Sequence, residues 1–386
     1  MVLSHPIQYY SPWFSRINQC PDVELRVFYL SDHGARRQTD AEFGTAIKWD
    51  RDLLAGYSYE MVPNRARHPN VSRFNGLKNP ALRTQLRAFR PTAILLFGYA
   101  YRTHLSLLMR PPVPILFRGD SHLLGGPPAH GIKRVLLRLI YSRCAAFLPV
   151  GLANAAYFRH FGVPESKLFP APHCVDAEHF RPTAERLSLA EEQRQRLAIP
   201  SDAPVALFSG KLIPKKRPDL LLAAFRRAAV PHSHLILAGD GEMQVTLRQA
   251  ADGLSNVHVL PFANQSEMPI RYLLGDVYIL PSEGRYETWG LAVNESMHLG
   301  RPSIVSDHVG CHPDLIIPGE TGWTFAAGNE EALSECLSAA LRLGRSGLAI
   351  KGEAARRHIA RFSYDAATEG LLAALRTLVT KKPPSR

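Results

Sequence analysis

Two glutamates, Glu287 and Glu295, stand on either side of the mostly apolar run TWGLAVN in the second half of the chain. Glutamate is seldom left among apolar residues unless another group pairs with it. A carboxylate has two acceptor oxygens, so it can take two hydrogen bonds from neighbouring hydroxyl groups of a sugar. The pair therefore indicates either one binding site with two carboxylates or an ordinary helix whose acidic residues are solvated.

The backbone between the two glutamates is expected to bind an anion. An apolar strand and a polar loop lead into a helix predicted over 289–299, with Glu287 ahead of it and Glu295 inside it. The amides of Gly290 and Leu291 at the helix start have no partner within the helix, and the helix dipole adds positive potential there. Carboxylates on both sides of a phosphate site suit a molecule with a diol at each end, such as a nucleoside diphosphate sugar.

Two lysines could supply the countercharge for such a ligand. The strand-like run VALFS is followed by Gly210 and Lys211 and, further on, by Lys216. Ligands of doubly wound α/β proteins bind at the carboxyl ends of the strands, where both ammonium groups would lie. An ammonium is a compact charge that approaches a diphosphate without a fixed geometry. Surface lysines are common, however, so this pair alone is weak support.

A second turn, LAGDGEM (237–243), also follows an apolar run. Gly239 and Gly241 permit positive φ and a close approach of the backbone. The segment does not have the GxGxxG pattern of dinucleotide-binding proteins. Asp240 could contact a ligand or could cap the helix that follows it.

Short apolar runs alternate with helical stretches along the chain, which is the pattern of parallel α/β sheets. The polar, proline-bracketed segment 181–204 is the predicted boundary between two doubly wound domains of similar size. Strands are predicted over 23–30, 93–97, 113–117 and 145–150 in the first half, and over 203–209, 234–239, 256–260, 276–280 and 302–306 in the second.

Charge is distributed unevenly along the chain. The net charge is +12, but residues 61–164 alone contain fifteen Lys or Arg and one acid, Asp120. This block indicates an anionic partner, namely a membrane surface, a phosphorylated substrate or a nucleic acid, or else a solvated arginine-rich face.

Two predicted helices in the basic block carry apolar and basic residues on different faces. Each helix could pack on the core in the ordinary way, or could dock on anionic lipid. The first places Leu82, Leu86 and Phe89 against Arg83, Arg87 and Arg90, and the second pairs Ile132, Val135, Leu136 and Leu139 with Lys133, Arg134, Arg138 and Arg143.

Length, composition and cysteine content limit the class of protein. A chain of 386 residues with 46% hydrophobic and 21% charged residues is typical of globular proteins. There is no run of eighteen apolar residues, and the opening MVLSHPIQYY is not typical of a signal peptide. The five cysteines include no CxxC pair and indicate reduced thiols, so a cytoplasmic protein is expected.

Taken together, these motifs resemble the retaining glycosyltransferases of the GT-B fold known as family 4 or group 1. The E-x7-E element at Glu287 and Glu295 is preceded by SGKLIPKKRPDLLLAAF and LAGDGEM and followed by GRPSIVSDHVGCHPDLIIPGETGWTF, in the order of that family. PHCVDAEHFRP is similar to the family's interdomain segment, and the resemblance covers 165–380. It implies two Rossmann-like domains facing a cleft: an acceptor domain 1–183, a donor domain 184–363, and a C-terminal helix and tail 364–386 that packs on the first domain.

The resemblance implies roles for the residues of the donor side. Lys211 and Lys216 would neutralise the departing diphosphate, Glu287 would contact donor-sugar hydroxyls near the anomeric carbon, and Glu295 would hold the ribose. No metal or cofactor is expected, because the lysines and the helix start can supply the positive potential. The other donor-side residues are Gly210, Asp240, Gly241, Trp289, Gly290 and Leu291, the last two binding the distal phosphate through their amides.

The first domain departs from the family pattern, because its first loop is SHPIQYYSPWF where many relatives have a glycine-rich loop. His5 and Gln8 could line the acceptor side of the cleft or belong to a packed aromatic loop. Arg118, Asp120 and His122 follow a predicted strand, where relatives often carry a histidine in the cleft. His122 is therefore the candidate for a catalytic histidine, while Asp120 could instead pair with Arg118.

The expected function is transfer of a sugar from a nucleoside diphosphate sugar to an acceptor hydroxyl with retention of configuration, in polysaccharide, glycolipid or other glycoconjugate synthesis. The alternatives are an epimerase or a phosphorylase of the same fold or, from another class, a nucleic-acid-binding protein. The basic block lacks the interleaved aromatics of a single-strand platform, so nucleic acid is not the expected partner. An anionic or lipid-linked acceptor, and contact with the inner face of the membrane, would both suit the basic block.

Overall fold

A computed structural model describes residues 1–33, 52–127 and 129–380, together with the strand pairs at 38–39 and 46–47. In chain order the first domain contains β1 (Val2–Leu3), α1 (Ser11–Asn18), β2 (Val27–Tyr29), β3 (Gln38–Thr39), β4 (Ala46–Ile47), β5 (Tyr59–Met61), α2 (Leu82–Phe89), β6 (Ile94–Phe97), α3 (Arg102–Met109), β7 (Ile115–Arg118), α4 (Gly131–Ser142), β8 (Ala146–Phe147) and α5 (Leu152–His160).

The first domain is built on a parallel sheet of six strands in the order β5-β2-β1-β6-β7-β8, and β3 pairs with β4 in an antiparallel hairpin. Its central strands are buried on both faces, as parallel strands between two helical layers must be. Neighbouring residues of β7 show this, because Leu116 packs in one core cluster and Phe117 in the other. β1 lies at the point where the strand order reverses, so the crevice of this sheet opens beyond its carboxyl end.

The second domain repeats this plan. Its elements are α6 (Ala184–Arg196), β9 (Val205–Ser209), α7 (Pro218–Ala228), β10 (His234–Ala238), α8 (Gln244–Ala251), β11 (Val257–Leu260), α9 (Met268–Leu273), β12 (Val277–Leu280), α10 (Leu291–His298), β13 (Ser303–Ser306), α11 (His312–Leu315), β14 (Gly322–Phe325), α12 (Glu330–Leu341) and α13 (Gly344–Ile359), and the chain ends with α14 (Tyr364–Thr380).

The second sheet is also parallel, with the order β11-β10-β9-β12-β13-β14. Its central strand β9 sends Leu207 into one core and Phe208 into the other. The reversal of strand order at β9 places the ligand crevice beyond the ends of β9 and β12. The prediction of two doubly wound Rossmann-like domains is therefore confirmed.

The polar segment 181–204, which the sequence presents as a domain boundary, is for the most part helix α6 of the second domain. The guanidinium of Arg194 is fully buried and lies 3.1 Å from the carboxylate of Asp276. Ala190 packs in the core beside it. A helix that buries so few apolar residues has a weak hydrophobic pattern, so it is easily taken for a linker.

Helix α14 returns from the second domain to the first, as the resemblance implies. Leu371 of α14 packs in the same core cluster as Trp13 and Phe14 of α1. The indole Nε1 of Trp13 donates a hydrogen bond to the hydroxyl of Thr368 at 3.1 Å. The end of the chain therefore completes the core of the first domain.

The two helices of the basic block differ in how they pack. α2 buries Leu82 and Leu86, so it is an ordinary core-facing helix. α4 instead leaves its stripe Ile132, Val135, Leu136 and Leu139 exposed, and packs on the core through Leu137, Ile140 and Tyr141. In the part of the chain that the structure describes, no helix is long and apolar enough to cross a bilayer.

Candidate functional site

A cleft of about 530 Å³ lies between the carboxyl ends of the two sheets. The loops after β1 and β7 form its wall in the first domain, and the loops after β9, β10, β11 and β12 form the opposite wall. Of the residues expected in the site, those that line the cleft are Gln8, Asp120, Gly210, Lys211, Lys216, Glu287, Trp289, Gly290, Leu291 and Glu295.

The two lysines and the first glutamate meet at one wall of this cleft. Lys216 lies in a 3₁₀ turn, Pro214–Lys216, and its ammonium pairs with the carboxylate of Glu287. The same oxygen of Glu287 accepts a hydrogen bond from the hydroxyl of Ser282 at 2.9 Å. Segments far apart in the chain thus place a cation and an anion side by side, and Lys211 lines the same cleft.

Further bonds hold the loop after β9 against the loop after β12. The guanidinium of Arg217 pairs with the carboxylate of Glu283, and also with that of Asp219 at 3.3 Å. The amide of Glu283 donates to the carbonyl of Lys215 at 2.9 Å. The position of Lys216 relative to Glu287 is therefore set by main-chain contacts as well as by their own ion pair.

Glu295 is buried, with only 2% of its surface exposed, so it is not a solvated residue of an ordinary surface helix. Its Oε2 accepts a hydrogen bond from the hydroxyl of Tyr272 at 2.5 Å, and Oε1 has no hydrogen-bond partner among the described residues. Burial raises the pKa of Glu295 to about 7, while the hydrogen bond from Tyr272 and the nearby phenol of Tyr9 act in the opposite direction. A buried acceptor without a donor is costly, so a ligand hydroxyl at Oε1 would be favourable.

The predicted helix begins at Leu291, with Gly290 as its N-cap, and no side chain of the described residues caps its first amides. Gly290 has φ of +98°, and a Cβ there would lie 2.9 Å from side-chain atoms of both Leu280 and Val309. Glycine is therefore required by the backbone conformation and by core packing, as well as by any ligand that approaches its amide.

Trp289 lines the cleft but is only 3% exposed. Its indole Nε1 donates to Oδ1 of Asn294 at 2.8 Å, and its ring packs against His173 and Phe362. The side chain of Trp289 thus belongs mainly to the core under the site.

The LAGDGEM turn meets the cleft through Gly239, whereas Asp240 and Gly241 do not line it. Asp240 accepts a hydrogen bond from the amide of Gly241 at 2.9 Å, which stabilises the turn itself. A Cβ on Gly241 would lie 2.6 Å from the carbonyl oxygen of Leu212, so this glycine permits contact between two loops. In the structure Asp240 and Gly241 therefore shape and join the loops beside the cleft, and their predicted contact with the donor stays a prediction.

From the first-domain wall, Asp120 reaches across the cleft. Its carboxylate accepts a hydrogen bond from the hydroxyl of Thr288 at 2.7 Å, and no ion pair with Arg118 forms within the described residues. His122 lies nearby but does not line the cleft, because both ring nitrogens contact the main chain: Nδ1 accepts from Leu124 at 3.1 Å, and Nε2 lies 3.2 Å from the carbonyl oxygen of Glu287. Burial lowers the pKa of His122, which favours the neutral ring in this bridge.

Two residues predicted for the acceptor side do not line the cleft. His5 does not line the cleft; its ring packs edge-on against His33, and burial lowers its pKa to about 4. Arg118 is 2% exposed, stacks over Trp13 and donates to the carbonyl of Ala171 at 2.6 Å. It fixes the interdomain segment from within the core.

The sequence did not single out the tyrosines around the two carboxylates. Tyr272 and Tyr278 line the cleft, and both are fully buried. Burial, with the charges of Glu287 and Glu295, raises the pKa of Tyr278 well above its ordinary value. Tyr278 lies in the apolar run VYIL, and a buried phenol needs a polar partner. This residue could therefore have indicated polar groups at the end of that strand.

Within the described parts of the chain, no group of three His, Cys, Asp or Glu side chains is arranged to hold a metal ion. The charged groups that line the cleft are Lys211, Lys216, Asp120, Glu287 and Glu295.

Comparison with known proteins bears on this cleft. Residues 190–357 match the family of glycosyl transferases group 1. The group 1 match includes both lysines and both glutamates of the site. A curated relative, the D-inositol 3-phosphate glycosyltransferase of Mycolicibacterium paratuberculosis, is 28% identical over 225 residues, which are 55% of this chain and 48% of that protein. The chain spans about half the length of the curated relatives it matches.

Solved structures match over nearly the whole chain. A glycosyltransferase from Rickettsia africae has a TM-score of 0.72 at 13% identity, covering 99% of this chain and 98% of that one. HepE from Anabaena, crystallised with UDP, has a TM-score of 0.70 at 15% identity, covering 97% and 99%. The likeness concerns the fold, and the chain has the two-domain GT-B architecture.

Proposed function

We propose that this chain is a glycosyltransferase that moves a sugar from a nucleoside diphosphate sugar to an acceptor hydroxyl, as a retaining enzyme of family 4. The observation that carries the proposal is the buried Glu295, whose Oε1 lacks a hydrogen-bond donor, on the same cleft as Lys211, Lys216 and Glu287. A diol at Glu295 and a diphosphate at the lysines would satisfy these groups together.

The electrostatics of the cleft suit departure of a diphosphate. Negative charge develops on the leaving group as the glycosidic bond breaks, and fixed positive groups stabilise that charge most strongly where water is excluded. Lys211, Lys216 and the uncapped start of α10 at Leu291 supply this potential without a metal. The Glu287 carboxylate, next to Lys216, would then contact hydroxyls of the donor sugar.

The acceptor would bind between this wall and the first domain. Asp120 and Gln8 line the cleft there, and attack by the acceptor hydroxyl on the face that the diphosphate leaves would retain the configuration. The catalytic role expected for His122 stays a prediction. HepE was solved with UDP, which makes UDP the first nucleotide to test, and the name of the curated relatives supports testing a phosphorylated acceptor.

The test is a calorimetric titration of the purified chain with UDP, GDP, ADP and TDP, repeated on Glu295→Ala. At pH 8, where the carboxyl of Glu295 is ionised, we expect one nucleotide to bind clearly best, and the variant to bind it roughly 10- to 100-fold more weakly, since a hydrogen bond to a charged group contributes about 1.5–3 kcal/mol. Glu320→Ala, at an exposed position outside the cleft, is the matched control and should bind like the wild type.

Two results would contradict the proposal. If no nucleotide binds, or if Glu295→Ala binds as tightly as Glu320→Ala, the site is assigned wrongly. Incubation with the corresponding nucleotide sugar separates the alternatives, because an epimerase consumes the donor without an acceptor and a phosphorylase requires inorganic phosphate. A transferase releases the nucleoside diphosphate at a rate that depends on an added acceptor.

A further inference from the structure

Helix α4 carries an apolar stripe that no part of the described fold covers. Ile132 is 88% exposed, Val135 68%, Leu136 46% and Leu139 45%. Their spacing places them along one side of the helix, about 140° around the axis from the side that packs on the core. Scattered exposed apolar residues are ordinary, but four large ones on a single helix face indicate a contact surface.

Basic side chains flank this stripe. Lys133, Arg134 and Arg138 of α4 are exposed, and none of them pairs with a carboxylate among the described residues. At the end of the helix the guanidinium of Arg143 donates to the carbonyl of Met109 at 2.9 Å, which brings the exposed Met109 and its neighbour Arg110 to the same surface.

The surrounding sequence strengthens this charge pattern. Between Asp120 and Glu165 the chain has no acidic residue, so carboxylates of this segment do not offset the bases of α4. A surface that is both apolar and strongly basic suits an anionic, partly apolar partner. Two copies of the same face would repel each other, which argues against self-association through it.

We propose that the exposed face of α4, defined by Ile132, Val135, Leu136 and Leu139 with Lys133, Arg134 and Arg138, docks on the surface of an anionic lipid bilayer. The apolar stripe would enter the headgroup boundary, while the bases contact lipid phosphates. Such binding is peripheral. The docking proposal goes beyond the proposed sugar transfer and does not depend on it.

The position of α4 relates this surface to the cleft. The helix begins nine residues after His122, so its start lies within about 30 Å of the wall that faces the second domain. A bilayer held at the start of α4 would therefore lie within about that distance of His122, at the first-domain side of the cleft.

The test is co-sedimentation of the full chain with vesicles, measured without nucleotide. Vesicles of phosphatidylcholine with 30% phosphatidylglycerol should bind the protein, vesicles of phosphatidylcholine alone should bind it far less, and about 0.5 M NaCl should weaken binding because it screens exposed charges. The variant Ile132→Ser/Val135→Ser should bind at least about tenfold more weakly, and Lys133→Gln/Arg134→Gln roughly tenfold or more.

Matched controls lie on the second domain. Ile350 and Val245 are 75% and 65% exposed, so Ile350→Ser/Val245→Ser removes the same residue types from another surface. Arg248→Gln/Arg342→Gln removes two exposed charges elsewhere. Both control variants should bind the anionic vesicles like the wild type.

The proposal is overturned if the wild type does not bind anionic vesicles in preference to neutral ones, or if the α4 variants bind as well as their controls. It is also overturned if sedimentation velocity finds a dimer that Ile132→Ser/Val135→Ser dissociates, because the face would then join two copies. Nucleotide titration of the same variants distinguishes failure of membrane docking from failure of the proposed function. An α4 variant that no longer binds vesicles but still binds the nucleotide bears only on membrane docking.

Discussion

At the scale of single residues, Glu295 links the site to the stability of the fold. Its pKa is raised by burial from 4.5 to about 7, so between these values the native carboxyl holds a proton that the unfolded one has released. The contribution of the group to stability is therefore full below pH 4.5 and is lost as the pH rises through 7. The change amounts to about 3 kcal/mol at most.

We therefore expect Glu295→Gln, which cannot ionise, to differ from the wild type in a pH-dependent way. The free energy of unfolding of the variant relative to the wild type should increase by about 2–3 kcal/mol between pH 5 and pH 8. Denaturant titrations at several pH values measure this difference, in which the titration of the buried histidines cancels. Glu320→Gln should give a flat difference, and an equally flat one for Glu295→Gln would contradict the buried, protonated state.

At the scale of elements, the site depends on loops that approach each other closely. Gly239 after β10 has φ of +146°, and a Cβ there would lie 1.8 Å from the carbonyl oxygen of Gly210 after β9. Gly239→Ala should therefore cost the penalty of a left-handed residue, about 1–2 kcal/mol, and about 1–3 kcal/mol more for the steric clash. Displacing the Gly210 loop should also weaken nucleotide binding.

Gly253→Ala separates the penalty of the backbone conformation from that of the steric clash. Gly253 has φ of +75°, but a Cβ there meets nothing within 4 Å. Guanidinium titrations should therefore find a clearly smaller loss of stability for Gly253→Ala than for Gly239→Ala, and unchanged nucleotide affinity. Equal losses in both variants would mean that the backbone conformation, not the contact between the loops, makes Gly239 necessary.

The elements also illustrate what can be predicted from sequence. Strands such as β9 and β12 were found because a strand buried on both faces is a continuous apolar run. β5 was missed because its residues, Tyr59–Met61, are exposed or half-buried and carry a glutamate. The E-x7-E spacing located both carboxylates, but Tyr272, the partner of Glu295, belongs to helix α9, and only the folded chain brings the two together. The two alternatives for His5 stayed open because a loop residue has no periodicity that fixes the direction of its side chain.

At the scale of the whole molecule, several contacts join the domains on either side of the cleft. The carboxylate of Asp314 in the second domain accepts a hydrogen bond at 2.9 Å from the amide of Leu152, at the start of α5 in the first. Thr288 contacts Asp120 at the cleft itself. Helix α14 follows the second domain in sequence but packs on the first. Through α14 and these contacts, the stability of the first domain therefore depends on residues that come after the second domain.

Leu371 of α14 provides the sharpest test of this dependence. It is 2% exposed and packs with Trp13 and Phe14, so Leu371→Ala should cost about 2–5 kcal/mol, and the cost should fall on the first domain although the residue follows the second in sequence. Leu348→Ala is the matched control, because Leu348 is fully buried in the core of the second domain. Hydrogen exchange measured by mass spectrometry should become faster over α1 and β1 in Leu371→Ala, and over β9 and β10 in Leu348→Ala. If α1 responds equally to both variants, the two domains unfold as one unit and α14 has no selective effect on the first.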